Sequence, residues 1–111
     1  MTKEEFIETY QLEDGCIILE SWEDYKGGIV GVTEDRSQII YSYQAMVESL
    51  ARAYEKDYWD KHKDEPYDED RFSEFLDEAT EWIDYNTLRA LPYKDVSRRP
   101  IIMIETELEE I

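Results

Sequence analysis

Ile29-Val30-Gly31-Val32-Thr33-Glu34-Asp35-Arg36-Ser37-Gln38-Ile39-Ile40-Tyr41-Ser42-Tyr43-Gln44-Ala45-Met46-Val47-Glu48-Ser49-Leu50 is the stretch in which the spacing of apolar residues changes, and that change sets the fold class. Residues 29–33 and 38–42 are rich in β-branched and aromatic side chains. They are separated by Glu34-Asp35-Arg36-Ser37, a length that suits a hairpin. From Tyr43 onward the apolar positions fall three and four apart: Tyr43, Met46, Val47, Leu50, Tyr54 and Tyr58. That spacing places them on one stripe of a helix running to about Lys61, facing the sheet. Hairpin followed directly by amphipathic helix predicts an α+β domain.

Working outward, Lys63-Asp64-Glu65-Pro66-Tyr67 breaks the helix, and Asp68, Glu69 and Asp70 are placed to cap and charge the start of the next one. In that helix Phe72, Phe75, Leu76, Ala79, Trp82 and Ile83 share an inward face. Asn86 is expected to cap a short helix, Thr87 to Leu91, stopped by Pro92. After Pro100, Ile101-Ile102-Met103-Ile104 is apolar at every position, which reads as a central strand covered on both faces or by a second subunit. Upstream, Thr2 with Glu5 three residues later forms a capping-box signature. It predicts a helix to about Tyr10 with Phe6, Ile7 and Tyr10 inward. Cys16 to Leu19, bounded by Gly15 and by Glu20-Ser21, reads as a short strand. The expected order is α-β-β-β-α-α-α-β: a small mixed or antiparallel sheet of about four strands packed against three to four helices.

The 111 residues suit a single domain spanning 1–111, and 41% hydrophobic with 14% aromatic content is far too apolar for a disordered acidic tail. No apolar run reaches the roughly 18 residues of a membrane span, and Met1-Thr2-Lys3-Glu4-Glu5 lacks the layout of a signal peptide, so a cytoplasmic protein is expected. The single cysteine, Cys16, lies beside Ile17, Ile18 and Leu19 and reads as an inert, buried thiol.

The net charge of −17 is unevenly distributed. Residues 64–84 hold ten acids and one base, whereas residues 85–99 hold one acid and four bases, Arg89, Lys94, Arg98 and Arg99. On the helix within the acidic block, Glu74, Asp77, Glu78 and Glu81 fall at i, i+3, i+4 and i+7, with Asp84 three residues beyond. Like charges at these spacings oppose helix formation by about 0.2–0.5 kcal/mol per pair. The preceding helix instead alternates Glu48, Arg52, Glu55, Lys56, Asp60 and Lys61, the ordinary pattern of a solvated face.

Residues for catalysis are sparse. The single histidine, His62, sits between Lys61 and Lys63 at a helix end, without the partners that imidazole acid–base chemistry needs. Cys16 and His62 are too few and too far apart in sequence for a nitrogen–sulfur metal site. The acids of Asp64 to Asp70 lack the glycine turn and closing glutamate of a calcium loop, so capping is their expected use. Gly27-Gly28 reads as a turn, not a phosphate loop. No enzyme activity, catalytic residue, metal or cofactor is expected.

The passage Glu81-Trp82-Ile83-Asp84-Tyr85-Asn86-Thr87-Leu88-Arg89-Ala90-Leu91-Pro92-Tyr93 carries a resemblance. Together with Gly31-Val32-Thr33-Glu34-Asp35, Tyr41-Ser42-Tyr43 with Met46, Val47 and Glu48, and Pro100-Ile101-Ile102, it resembles a family of short proteins of unknown function from bacterial and phage genomes. The likeness covers roughly residues 16–104. It implies a fold and an origin but no activity. The charged insert around Asp57 to Asp70 and the acidic ends depart from the pattern.

The residues point to a non-enzymatic acidic binding protein. Glu74, Asp77, Glu78, Glu81 and Asp84 form the candidate partner-binding stripe, extended by Asp64, Glu65, Asp68, Glu69, Asp70 and the tail Glu105 to Glu110. A carboxylate row about 15 Å long, at about 1.5 Å per residue, approximates a stretch of nucleic-acid backbone. The expected partner is therefore a basic, nucleic-acid-binding protein, inhibited by mimicry of its polyanion, a role that suits a phage-related protein. Direct nucleic-acid binding is disfavoured by the charge, and the small basic cluster is expected to anchor acids of the same domain or of a neighbouring copy. Two readings compete with this one, besides a metal-dependent enzyme, which would need carboxylates clustered in a pocket. One is a face that only keeps the chain soluble. The other is a protein-interaction or homodimer module using Trp22, Tyr25, Trp59 and Tyr93.

Overall fold

The computed structural model describes residues 1–66 and 68–107. It is an α+β fold of four helices and a three-stranded mixed sheet: α1 Lys3–Thr9, α2 Trp22–Tyr25, β1 Ile29–Val32, β2 Ile39–Ser42, α3 Tyr43–Lys61, α4 Phe72–Trp82 and β3 Ile101–Met103. β2 lies in the middle, antiparallel to β1 and parallel to β3.

The hairpin forms where its sequence places it. Thr33 and Gln38 close it with a 2.9 Å N–H to carbonyl bond, and Arg36, at φ 66°, turns the chain back. That left-handed conformation is unfavourable for an L side chain. It is held by Glu13 N–H donating to the Arg36 carbonyl at 2.9 Å and by the Arg36 guanidinium donating to the Tyr10 carbonyl at 3.1 Å. Ser42 then switches the chain from strand to helix, its hydroxyl accepting from Ala45 N–H at 3.2 Å as the cap of α3. Met46, Val47, Leu50 and Ala51 of α3 are buried with Ile39 and Tyr41 of β2 and with Phe75, Ala79 and Ile83.

Gly27 and Gly28 form a tight 3-10 turn, Lys26–Gly28, pressed against α3. A Cβ at Gly28 would stand 2.5 Å from Met46 Cγ and 3.1 Å from Met46 Cα and N. The pair is therefore a packing device as well as a turn.

Several expectations are corrected. Cys16–Leu19 is not a strand. Its hydrogen bonds are scattered, Ile17 N–H to the Arg98 carbonyl at 3.0 Å and Leu19 N–H to the Tyr41 hydroxyl at 3.4 Å, and only Leu19 is fully buried. An apolar run of four demands cover; it does not specify a ladder. β3 is an edge strand, not the central one, with Ile101 and Met103 exposed. The central place goes to β2, which pairs on both sides. In α1 the capping box forms and Phe6 is buried, but Ile7 and Tyr10 remain exposed, because so short a helix lays down only one residue-wide face.

The separate helix expected at Thr87–Leu91 does not exist. α4 runs without a break into a π turn, Ile83–Thr87, and then a 3-10 segment, Leu88–Tyr93, that contains Pro92. The Asn86 amide donates back to the Trp82 carbonyl at 3.2 Å instead of capping a new helix. The π turn takes in one extra residue, which lets Ile83, Leu88 and Leu91 all reach the core. Trp82, expected inside, is 52% exposed.

Candidate functional site

Asp68 begins the acidic block structurally: its carboxylate accepts from Asp70 N–H at 3.0 Å and starts the 3-10 turn Glu69–Arg71 that leads into α4. Phe75, Ala79 and Ile83 are drawn into the core, so helical geometry turns Glu74, Asp77, Glu78, Glu81 and Asp84 toward water, and all five are exposed.

Their neighbours do little to neutralise them. Glu74 meets Arg71 Nε at 3.7 Å, and Asp84 accepts from the Tyr43 hydroxyl at 2.9 Å. Asp77, Glu78 and Glu81 make no ion pair among the described residues. On α3, in contrast, Arg52 bridges Glu48 at 3.8 Å and Glu55 at 3.3 Å, and Lys61 meets Asp57 at 3.1 Å. Exposed pairs of this kind contribute at most about 1 kcal/mol each. They do, however, cancel the local field, and three of the stripe carboxylates lack that cancellation.

Asp64, Glu65, Asp68, Glu69 and Asp70 are likewise exposed, while Tyr67 lies outside the described residues. Arg71 joins this loop to the stripe. It reaches Glu65 at 3.6 Å as well as Glu74, its guanidinium lies over the Tyr58 ring at 4.4 Å from the centroid, and it contacts the Tyr58 hydroxyl. Tyr58 in turn donates to Glu65 at 2.8 Å, which raises the phenol above its ordinary range. The only base in residues 64–84 is thus committed between two acids. Of the expected tail extension, Glu105 is tied to Gln44 by two backbone-to-amide hydrogen bonds of 2.9 and 3.0 Å. Glu109 and Glu110 lie outside the described residues.

Of the four bases of residues 85–99, Arg98 adds its charge to the Ser37 and Ser97 hydrogen bonds that lower the Asp35 and Asp95 carboxyls. Arg89 lies over the Tyr85 ring at 5.4 Å, and Arg99 donates to the Leu91 carbonyl at 3.4 Å. Among the described residues none of the four makes an ion pair within 4.0 Å. Of the aromatic residues expected at an interface, Tyr25 belongs to the core and donates to or accepts from Thr87 Oγ1 at 3.1 Å, and Trp22 is half-buried against Phe6. Trp59 is also half-buried, and Tyr93 is 91% exposed.

Sequence reasoning missed two other exposed rings, Trp82 and, at 65% exposure, Tyr85. With Tyr54, Glu78, Glu81 and Asn86 they line an open hollow of about 350 Å³ on the acidic face. Tyr54, Trp82 and Asn86 also line the neighbouring groove of about 560 Å³, whose far side is formed by residues 17–21. The signal for this site was the crowding of aromatic and acidic residues in 81–85.

Two other expectations concern chemistry. Cys16 is half-buried, not fully buried as expected, and burial pushes its thiol above the ordinary range against the opposing pull of Arg98 and of a hydrogen bond with the Ile39 backbone. The exposed His62 stacks on Tyr58 at 4.1 Å, its Nδ1 2.8 Å from the Tyr58 carbonyl. Among the described residues no three His, Cys, Asp or Glu side chains converge as a metal-binding group, and no helix is long and apolar enough to cross a membrane. No family model, curated protein or solved structure matches this chain.

Proposed function

We propose that this chain is a non-enzymatic binding protein of the cytoplasm that presents the outer face of α4 to a basic, nucleic-acid-binding protein and occupies its polyanion groove. One observation carries the reading: Asp77, Glu78 and Glu81 are exposed on adjacent turns of one helix and none is ion-paired among the described residues. From Glu74 to Asp84 the five carboxylates span about 15 Å, a mean spacing of about 4 Å, close to the spacing of about 3.4 Å along a single nucleic-acid strand. A rigid helix holds that row in place before binding, which lowers the ordering cost of association. The resemblance to short phage and bacterial proteins belongs to this proposal, since an inhibitor of host nucleic-acid enzymes is a role such a protein would fill.

The test is a pull-down from nuclease-treated bacterial lysate with the native chain and with a Glu74→Gln, Asp77→Gln, Glu78→Gln, Glu81→Gln variant, followed by competition with nucleic acid. The native chain is expected to retain basic nucleic-acid-binding proteins at low salt, to release them at high salt or to added DNA or RNA, and the variant to retain none. Equal retention by both forms through high salt would overturn the reading.

A second reading is favoured by Tyr93, Tyr85 and Trp82, exposed by 91%, 65% and 52%. In it the chain is a protein-interaction or homodimer module with aromatic contacts. Such an interface would respond little to salt, and sedimentation at rising concentration would reveal the dimer.

A further inference from the structure

The hollow beside the stripe has a chemistry that the stripe lacks. Trp82 and Tyr85 expose ring surface there, Glu78 and Glu81 stand one helical turn apart at its rim, and Asn86 adds an amide whose position is fixed by its bond to the Trp82 carbonyl. Neither carboxylate is ion-paired among the described residues. Ring faces attract a cation by their quadrupole, a planar guanidinium stacks on them better than an ammonium, and its fork of donors matches a carboxylate. This molecule already uses that contact at the same ring: the Arg89 guanidinium lies 5.4 Å from the Tyr85 centroid. Arg52 over Phe72, at 4.1 Å, and Arg71 over Tyr58 repeat it elsewhere. The opposite charge at the rim selects the occupant.

We infer that the hollow formed by Tyr54, Glu78, Glu81, Trp82, Tyr85 and Asn86 is a subsite for an arginine side chain of the partner protein. The arginine stem lies along Trp82 and its guanidinium reaches Glu78 and Glu81. This rests on the acidic face being the binding face, and it adds to charge mimicry a preference for arginine over lysine that a uniform polyanion would not have. The rings position the side chain, and the carboxylates hold its charge. The π turn Ile83–Thr87 carries Tyr85 and Asn86 directly after Trp82, the last residue of α4.

The experiment titrates the full chain with a short arginine-glycine repeat peptide and with its lysine-glycine counterpart at the same salt, by calorimetry. The arginine peptide is expected to bind about tenfold tighter, and Trp82→Leu and Tyr85→Ala each to remove most of that difference while leaving the net charge unchanged. Tyr85→Phe, which keeps the ring, is expected to retain the preference, and a urea midpoint for each variant separates loss of the subsite from loss of the fold. Equal affinity for the two peptides, or an arginine preference that survives in folded Trp82→Leu and Tyr85→Ala, overturns the inference. Glu74→Gln with Asp77→Gln distinguishes the two readings. If it abolishes pull-down of basic proteins while the ring variants leave both pull-down and peptide binding intact, the stripe reading stands and the subsite fails. If the arginine preference persists but no basic protein is retained by the native chain, the mimic reading fails and the subsite stands.

Discussion

Replacing Gly28 by alanine adds one methyl group where the structure has no room for it. The new Cβ would lie 2.5 Å from Met46 Cγ, a contact that a flexible side chain could relieve by moving away. Met46 has no such freedom, being fully buried among Ile39, Tyr41 and Leu50. The same Cβ would also stand 3.1 Å from the Met46 backbone N and Cα, which belong to α3 and move only if the helix moves. Overpacking of this kind destabilises by about 1–3 kcal/mol. The upper half of that range is expected, since backbone is among the obstructing atoms. Gly31→Ala is the internal control: its Cβ would meet nothing within 4 Å, and the residue sits in β1 with an ordinary φ. There the reduced entropy of the unfolded chain should leave stability unchanged or raise it by up to about 1 kcal/mol. Urea unfolding followed by tryptophan fluorescence measures both. A Gly28→Ala midpoint equal to that of the native chain, or a Gly31→Ala loss as large as that of Gly28→Ala, would refute the claim that the glycine turn is packed against α3.

Glu81 stands four residues from Asp77, three from Glu78 and three from Asp84, so Glu81→Gln removes three like-charge pairs worth about 0.2–0.5 kcal/mol each. The variant should be more stable than the native chain by roughly 0.6–1.5 kcal/mol at low salt. The gain should vanish near 1 M salt, where screening acts within about 3 Å; a gain independent of salt in paired urea titrations would show that repulsion is not its source. Asp35 accepts from the Ser37 hydroxyl at 2.6 Å, the Thr33 hydroxyl at 2.7 Å and Ser37 N–H at 3.0 Å, and these bonds hold its carboxyl down at about 2 from an ordinary 3.8. A depressed folded value means that its stabilisation is complete above about pH 4 and is lost as the pH falls toward 2. The stability difference between the native chain and Asp35→Asn, read by urea unfolding at pH 5, 3 and 2, should therefore shrink over that window; a constant difference would contradict the assignment.

How much was legible in the sequence follows from how local each determinant is. The hairpin, the capping box at Thr2 and the whole of α3 could be read because turn length, cap chemistry and apolar period all act within a few residues of the chain. The stripe was legible for the same reason: once Phe75, Ala79 and Ile83 point inward, Glu74, Asp77, Glu78, Glu81 and Asp84 must point out. The isolation of that stripe was only partly legible. A lack of interleaved lysine or arginine hinted at it, but Arg71 joining Glu65 to Glu74 is a contact between elements.

Tertiary structure alone decided the rest. Cys16–Leu19 and Ile101–Met103 are both short apolar runs, and nothing in their composition says that the second pairs with β2 at the sheet edge while the first only packs. Strand pairing brings together residues far apart in the chain, and an apolar run without alternation carries no information about its neighbours. The π turn at Ile83–Thr87 is of the same kind. It brings Ile83 and Leu88, five residues apart, to the same side, which the three- and four-residue spacing of a regular helix does not, and Trp82 and Tyr85 stand exposed around it beside Glu78 and Glu81. Periodicity thus determined which faces exist on this protein, and only packing between distant segments decided which of them meet and which are left exposed.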